Sequence, residues 1–203
     1  MDAMPPAWAI EAIVRAGHRM DARGWVPATA GNLSVRLDDG LIAITRSGGH
    51  KGQLDAGGIM LVDAQGAPRS EGRPSAETLL HCQIYRLDPT AGAVLHGHSV
   101  AATVLSMHRP GPIRLAWYEV LKVFQGQTTH EAALDLAVFD NDQDIPRLQD
   151  RVSATLEAGA ALGYLIRGHG VYVWGSDMDQ AMARLEGLEF LLACELERRK
   201  LER

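Results

Sequence analysis

Apolar residues recur along the chain in a pattern that changes from one segment to the next. Helical spacing or runs of small residues favour helices at 7–24, 74–88, 99–107, 145–160 and 177–200. Between them lie short apolar runs typical of buried strands, at 41–45, 59–63, 92–98, 134–139, 162–167 and 170–175. No repeat or low-complexity stretch interrupts this alternation. The pattern therefore predicts one α/β domain over residues 1–203.

Composition and charge narrow the class of protein. Of the 203 residues, 46% are hydrophobic and 22% are charged, as in ordinary soluble domains. The formal net charge of −5 offers no basic surface to nucleic acid, and no apolar run approaches the roughly 18 residues that span a bilayer. The first residues lack signal-peptide features, and Cys82 and Cys194 lack CxxC spacing. We therefore expect a cytoplasmic protein with reduced cysteines and with no nucleic-acid or membrane partner.

Two histidines end the apolar run at 92–98, "GAVLHGH". The period of two in a strand points His96 and His98 to the same side, where two imidazoles can chelate a divalent metal. The alternative is a helix cap beside a hydrogen-bonded core histidine. His169, 71 residues after His98 in "RGHGVYVWG", adds a third imidazole between glycines. Three histidine ligands with an open position are typical of catalytic zinc.

Two loops have the composition of an anion site. Residues 29–36, "TAGNLSVR", are interpreted as a turn, and residues 45–53, "TRSGGHKGQ", combine glycines with a lysine. Ser75, predicted to open a helix, adds a hydroxyl and the positive end of the helix dipole. Each loop taken alone is better explained as a tight turn than as an anion site. Together with a metal site, they suggest a phosphorylated sugar as substrate.

Five ordered motifs carry a family resemblance: "AGNLSVR", "SGGHKG", "PSAE", "GAVLHGHS" and "RGHGVYVWG". In this order they resemble the class II aldolase/adducin family, from about residue 10 to residue 195. The resemblance implies a three-layer α/β/α sandwich around a mainly antiparallel sheet. It also implies homotetramers with active sites at subunit interfaces.

The resemblance also assigns residues. It implies one zinc ion per subunit on His96, His98 and His169. It implies a substrate phosphate held by Asn32, Ser47, Gly48, Lys51 and Ser75. The glutamate that binds metal or moves a proton in aldolase members falls at Glu77. The acid–base glutamate of dehydratase members falls at Glu119, in "YEVLKVFQG".

Within the family, "HGVYVWG" and "YEVLKVFQG" are most similar to the dehydratase members. The expected activity is zinc-dependent dehydration of 5-methylthioribulose 1-phosphate to a 2,3-diketone, a step of methionine salvage. Glu119 is the expected base, and Glu77 is its helper or a group behind the metal.

Two alternatives stay open. The first is a sugar-phosphate aldolase or epimerase that uses Glu77 as proton carrier, because some dehydratase relatives carry cysteine at that position. The second is a non-catalytic binding module of the adducin type, against which the intact His96, His98 and His169 argue. Histidine sites also accept iron, cobalt or manganese, so the sequence does not identify the metal used in the cell.

Overall fold

A computed structural model describes residues 4–124, 126–159 and 163–202. Parts of three predicted segments lie outside these described residues: position 160 of the helix at 145–160, position 162 of the strand at 162–167, and position 125 of "YEVLKVFQG". The same holds for residues 1–3 and 203 of the predicted domain.

One sheet forms the centre of the described structure. Its eight strands are β1 Asn32–Arg36, β2 Ile42–Thr45, β3 Ile59–Val62, β4 Ala93–Gly97, β5 Ile113–Ala116, β6 Ala133–Phe139, β7 Tyr164–Ile166 and β8 Gly170–Gly175. They lie in the order β3-β2-β1-β4-β8-β7-β6-β5, and every neighbouring pair is antiparallel except β6 and β7. The predicted mainly antiparallel α/β sheet is therefore confirmed.

Five α-helices accompany the sheet in the described ranges: α1 Ala7–Ala22, α2 Thr78–Leu87, α3 Val100–His108, α4 Ile145–Glu157 and α5 Met178–Leu201. Three of them begin at a side-chain cap that accepts a backbone N–H of the first turn, from Ser99, Asp144 and Asp177. Among the described residues, none of the helices combines the length and the apolar character needed to cross a membrane.

Alternate residues of the strands join two separate hydrophobic clusters. In β1, Leu33 and Val35 pack in a cluster with residues of α1, α3 and α5. In β2, Ile42 and Ile44 pack in the other cluster, with residues of α2 and α4. This alternation follows from the period of two in a strand and places apolar side chains on both faces of the sheet. Strands buried on both faces are expected to appear as continuous apolar runs, as most of these do.

Two local predictions are wrong. Residues 32–36 form β1, paired with both β2 and β4, and not a turn-rich loop. The strand was missed because Asn32 and Ser34 are polar, although they are buried and hydrogen-bonded to other side chains. Ser75 does not open a helix, since α2 starts only at Thr78 after a separate turn in which the Thr78 N–H donates to the Ser75 carbonyl oxygen.

Candidate active site

Three histidines come together beside the centre of the sheet. His96 lies in β4, His98 follows its end, and His169 lies in the turn between β7 and β8. Their ring centroids are 4.5 Å (His96–His98), 5.1 Å (His96–His169) and 4.7 Å (His98–His169) apart. One ligand atom from each ring and one carboxylate oxygen of Glu77 lie within 4.8 Å of one another. These three nitrogen donors and one oxygen donor match a typical zinc ligand set.

Strand register and two glycines bring these groups together. β4 pairs with β8 in the middle of the sheet, with His96 opposite Tyr172. A Cβ placed on Gly170 would lie 2.1 Å from the carbonyl oxygen of Gly97, so only glycine permits this backbone approach. As a result His169, directly before Gly170, is carried next to the histidine pair.

The hydrogen bonds of the histidines leave ligand atoms free. The Nδ1–H of His96 donates to the Val171 carbonyl oxygen at 2.9 Å, which leaves a lone pair on Nε2. The Nε2 atoms of His96 and His98 are buried and have no hydrogen-bond partner among the described residues. Burial and the neighbouring His96 lower the pKa of His98 to about 3, so this ring is neutral at physiological pH. Buried lone pairs without partners are costly, and a bound divalent metal removes that cost.

Glu77 closes the cluster with one carboxylate oxygen. Its Oε1 lies 2.7 Å from Nε2 of His169 and 3.5 Å from Nε2 of His96. Its Oε2 accepts a hydrogen bond from Nδ2 of Asn32 at 2.5 Å. Burial raises the pKa of Glu77, but the hydrogen bond from His169 and the nearby imidazole of His96 outweigh burial and hold that pKa well below its usual range. The group at the cluster is therefore a carboxylate at neutral pH.

A cavity of about 290 Å³ opens beside Glu77 and His98. The five residues predicted to hold a phosphate all line it: Asn32, Ser47, Gly48, Lys51 and Ser75. Asn32 is the first residue of β1 and directly follows the loop residues 29–31, which also line the cavity. It therefore faces the cavity although it belongs to a strand. The structure thus brings the predicted anion site and the predicted metal site together.

The ammonium group of Lys51 is less available to a ligand than its sequence context suggests. Its Nζ donates to the carbonyl oxygens of Thr29 at 2.9 Å and of Gly49 at 2.6 Å. Only 1% of Lys51 is exposed, and burial lowers its pKa. Lys51 therefore ties the two cavity loops together and has one N–H left for a ligand.

Arg46 is the cavity residue that sequence reasoning missed. It lines the cavity, and its Nε is buried without a hydrogen-bond partner among the described residues. Gly72 packs so closely on Arg46 that an added Cβ would lie 2.8 Å from that Nε. An arginine beside the Ser-Gly-Gly sequence at 47–49 was the signal available, since guanidinium groups match phosphate geometry.

Glu119 is not brought to the cluster within one chain. It begins the 3₁₀ helix Glu119–Val123, its side chain is 69% exposed, and it accepts a hydrogen bond from Lys122. That bond lowers the pKa of Glu119. Among the described residues, Glu119 lines neither the cavity nor the histidine cluster.

A family model decides the relationship of this chain to known proteins. The model of the class II aldolase and adducin N-terminal domain matches residues 11–196. The chain belongs to the class II aldolase and adducin family. The motifs that carry the predicted resemblance all lie within the matched residues.

Relatives within the class II aldolase and adducin family cover nearly the whole chain. A methylthioribulose-1-phosphate dehydratase from Granulibacter bethesdensis is 67% identical over 205 residues, covering 97% of this chain and 95% of the relative. A protein of the same name from Gluconacetobacter diazotrophicus is 65% identical, with 98% of each chain covered. The solved L-fuculose-1-phosphate aldolase of Thermus thermophilus is 27% identical with a TM-score of 0.77, covering 95% of each chain. The chain thus combines a class II aldolase fold with close sequence similarity to dehydratases.

Proposed function

We propose that this protein is a hydro-lyase that converts 5-methylthioribulose 1-phosphate to 2,3-diketo-5-methylthiopentyl 1-phosphate. The proposal rests on one observation, which is that the candidate metal site lies next to the candidate phosphate site. Three histidines and Glu77 meet at a cavity whose other walls suit a phosphate. This junction lies in a chain 67% identical to a relative named for the dehydration.

The proposed metal site consists of His96, His98 and His169, with Glu77 as a fourth ligand or as a proton carrier beside the metal. A divalent ion bound there supplies a Lewis acid that polarises the substrate ketone and stabilises negative charge on its oxygens. The pathway proposed for the product is methionine salvage, and zinc is the proposed ion.

The phosphate is proposed to lie in the cavity, bound by the second Nδ2–H of Asn32, the loop at 47–49, Ser75, the remaining N–H of Lys51 and the guanidinium of Arg46. These donors orient the sugar so that its C2 ketone and C3 hydroxyl reach the histidine end. A carboxylate then takes the C3 proton, the C3–H electron pair forms a C3=C4 double bond, and the C4 hydroxyl leaves as water with a proton from an acid. The resulting enol tautomerises to the diketone.

Two carboxylates are proposed for these proton transfers. Glu77 already faces the cluster through Oε1. For Glu119 to act as the C3 base, either a neighbouring copy of the chain must supply it or the 3₁₀ helix Glu119–Val123 must move. We propose the first route, together with a homotetramer whose sites lie between subunits.

The remaining proposals concern the whole protein. The two hydrophobic clusters on opposite strand faces support a three-layer α/β/α arrangement of one domain over residues 1–203. The cysteine usage supports a cytoplasmic location, and the formal net charge of −5 supports a protein without a nucleic-acid partner.

Product analysis tests the reaction. The zinc-loaded protein is incubated with 5-methylthioribulose 1-phosphate, and a chelator-treated sample is the control. Metal-dependent appearance of the diketone with loss of one water is the expected result. Cleavage of fuculose 1-phosphate or rhamnulose 1-phosphate without any dehydration would overturn the proposal in favour of an aldolase. A protein that binds no metal and is inactive on all three sugars would overturn it in favour of a binding module.

Mixed assemblies test the two carboxylates. Glu77→Gln and Glu119→Gln chains are each expected to be inactive, and co-refolded mixtures are expected to regain activity because some sites combine an intact Glu77 with a neighbour's intact Glu119. Two inactive variants without rescue would place Glu119 in its own chain's site. Full activity of Glu119→Gln would remove Glu119 from the mechanism.

A further inference from the structure

A buried chain of hydrogen bonds leads away from Glu77 into the interior. Oε2 of Glu77 bonds to Nδ2 of Asn32, and Oδ1 of Asn32 lies 2.5 Å from Nε2 of His81. Nδ1 of His81 lies 2.7 Å from Oγ of Ser34, which lies 2.8 Å from the hydroxyl of Tyr85. This series of hydrogen bonds joins β1 to α2, on the sheet face that carries His96, since Asn32 is paired directly with His96.

The chemistry of each group fixes the direction of donation along this series of hydrogen bonds. A carboxylate only accepts hydrogen bonds, so Asn32 must donate through Nδ2 and turn Oδ1 toward His81. His81 must then carry its proton on Nε2, which leaves Nδ1 as an acceptor for the Ser34 hydroxyl. Oγ of Ser34 in turn accepts from the hydroxyl of Tyr85. Every donor in the chain therefore points toward Glu77.

The surroundings of His81 favour a single neutral state. The residue is fully buried, and burial is the largest cause that lowers its pKa, to about 3. Both ring nitrogens have partners, so neither is available to a ligand. The ring is therefore not a proton carrier, and its contribution is the fixed placement of a donor and an acceptor.

We propose that His81 is a positioning residue. As the Nε2–H tautomer, it holds the Asn32 amide so that Asn32 donates to Oε2 of Glu77 and leaves Oε1 for the histidine cluster. In the opposite tautomer, Nε2 of His81 would accept from Asn32, and Oδ1 of Asn32 would face the carboxylate. Two acceptors would then repel each other, and Glu77 would rotate away from the cluster. The effect on turnover rests on the proposed function, whereas the tautomer does not.

Two substitutions of similar size separate positioning from packing. In His81→Gln, the side-chain NH₂ takes the place of Nε2–H and still reaches Asn32. In His81→Asn, the amide takes the place of Nδ1, so it keeps Ser34 and loses Asn32. We expect His81→Asn to lower kcat by about 10- to 100-fold, as for other groups that orient a metal-site ligand. KM is expected to change little, and His81→Gln should retain most of the activity.

Equal loss in both folded variants would overturn the proposal, because packing alone does not distinguish the two ring nitrogens. Thermal unfolding identifies a variant that fails to fold. Asn32→Ala supplies a second criterion: if His81 acts through Asn32, then adding His81→Asn to Asn32→Ala lowers kcat no further. Additive losses would contradict the proposed route.

A measurement on the unmodified protein decides the tautomer. The chain labelled with [¹⁵N]histidine is examined by long-range ¹H–¹⁵N correlation spectra, with the His81 signals assigned by their absence in His81→Gln. We expect a neutral ring with the proton on Nε2. A proton on Nδ1 would overturn the proposal. The expected tautomer in a protein that does not dehydrate the sugar would leave the positioning intact and reject the proposed function.

Discussion

Arg46 and Lys51 are two cations beside one cavity, and their neighbours give them different roles. The ammonium of Lys51 is occupied by the carbonyl oxygens of Thr29 and Gly49, so most of its bonding stabilises the loops. The buried Nε of Arg46 has no such partner among the described residues. A charge-assisted bond to the substrate phosphate is therefore expected mainly from Arg46.

Arg46→Gln is expected to raise KM for 5-methylthioribulose 1-phosphate by about 10- to 100-fold, because a hydrogen bond to a charged group contributes about 1.5–3 kcal/mol. Steady-state kinetics at fixed ionic strength measures the change. Arg46→Lys, which keeps the charge but not the planar guanidinium, is the matched control. Its KM should lie between those of the wild-type protein and Arg46→Gln. An unchanged KM in Arg46→Gln would exclude Arg46 from phosphate binding.

The buried His81 makes stability depend on pH. Its pKa falls from 6.5 in the unfolded chain to about 3 in the folded protein. Between these values the unfolded chain binds a proton that the folded protein does not. The contribution of His81 to the free energy of unfolding is therefore complete above about pH 6.5 and is lost as pH falls. At pH 5 the expected loss is about 2 kcal/mol.

Urea unfolding of chelator-treated protein at pH 7 and pH 5 measures this loss. His81→Gln is the control, and its free energy of unfolding should depend less on pH by about the same amount. An equal pH dependence in both proteins would show that other groups account for it.

At the scale of elements, the site depends on how closely β4 and β8 approach. Gly97 and Gly170 face each other with room for no side chain at Gly170. The histidines on these two segments converge because of this contact.

Gly170→Ala is therefore expected to lower the free energy of unfolding by about 1–3 kcal/mol, as for other overpacked sites, and to weaken zinc binding as His169 moves away. Gly49→Ala is the control for stability, since its added Cβ would have no neighbour closer than 3.9 Å and its backbone has an ordinary φ. Wild-type stability and zinc affinity in Gly170→Ala would contradict this account of the site.

At the scale of the whole molecule, the proposed metal site is expected to link metal binding to stability. The buried Nε2 atoms of His96 and His98 lack partners in the described structure, so the folded protein gains from a metal that the unfolded chain binds poorly. Free zinc at a thousandfold above its Kd is expected to add about 4 kcal/mol to the free energy of unfolding.

Thermal unfolding with zinc and with a chelator measures this link. The Tm of the wild-type protein should rise with zinc, and the Tm of His98→Ala should not. Equal Tm values of the wild-type protein with and without zinc would reject the metal site. An equal rise in His98→Ala would locate the binding elsewhere.

Local patterns in the sequence determined most elements of this protein. The helices and buried strands follow from periodicities within 5 to 20 neighbouring residues, and the predicted ranges agree with the observed ones to within a few residues for most elements. The paired spacing of His96 and His98 follows from the same local geometry. Ordered motifs predicted the family, which the matched model confirms.

The tertiary structure decided which partner each polar residue has. Asn32 lies opposite His96 only because β1 pairs with β4, and its contact with His81 joins residues 49 positions apart. The burial of Lys51 likewise depends on Thr29, 22 positions earlier in the chain, and the packing of Arg46 depends on Gly72. Strand register and burial arise only when remote segments pack together, so no local pattern of residues contains them.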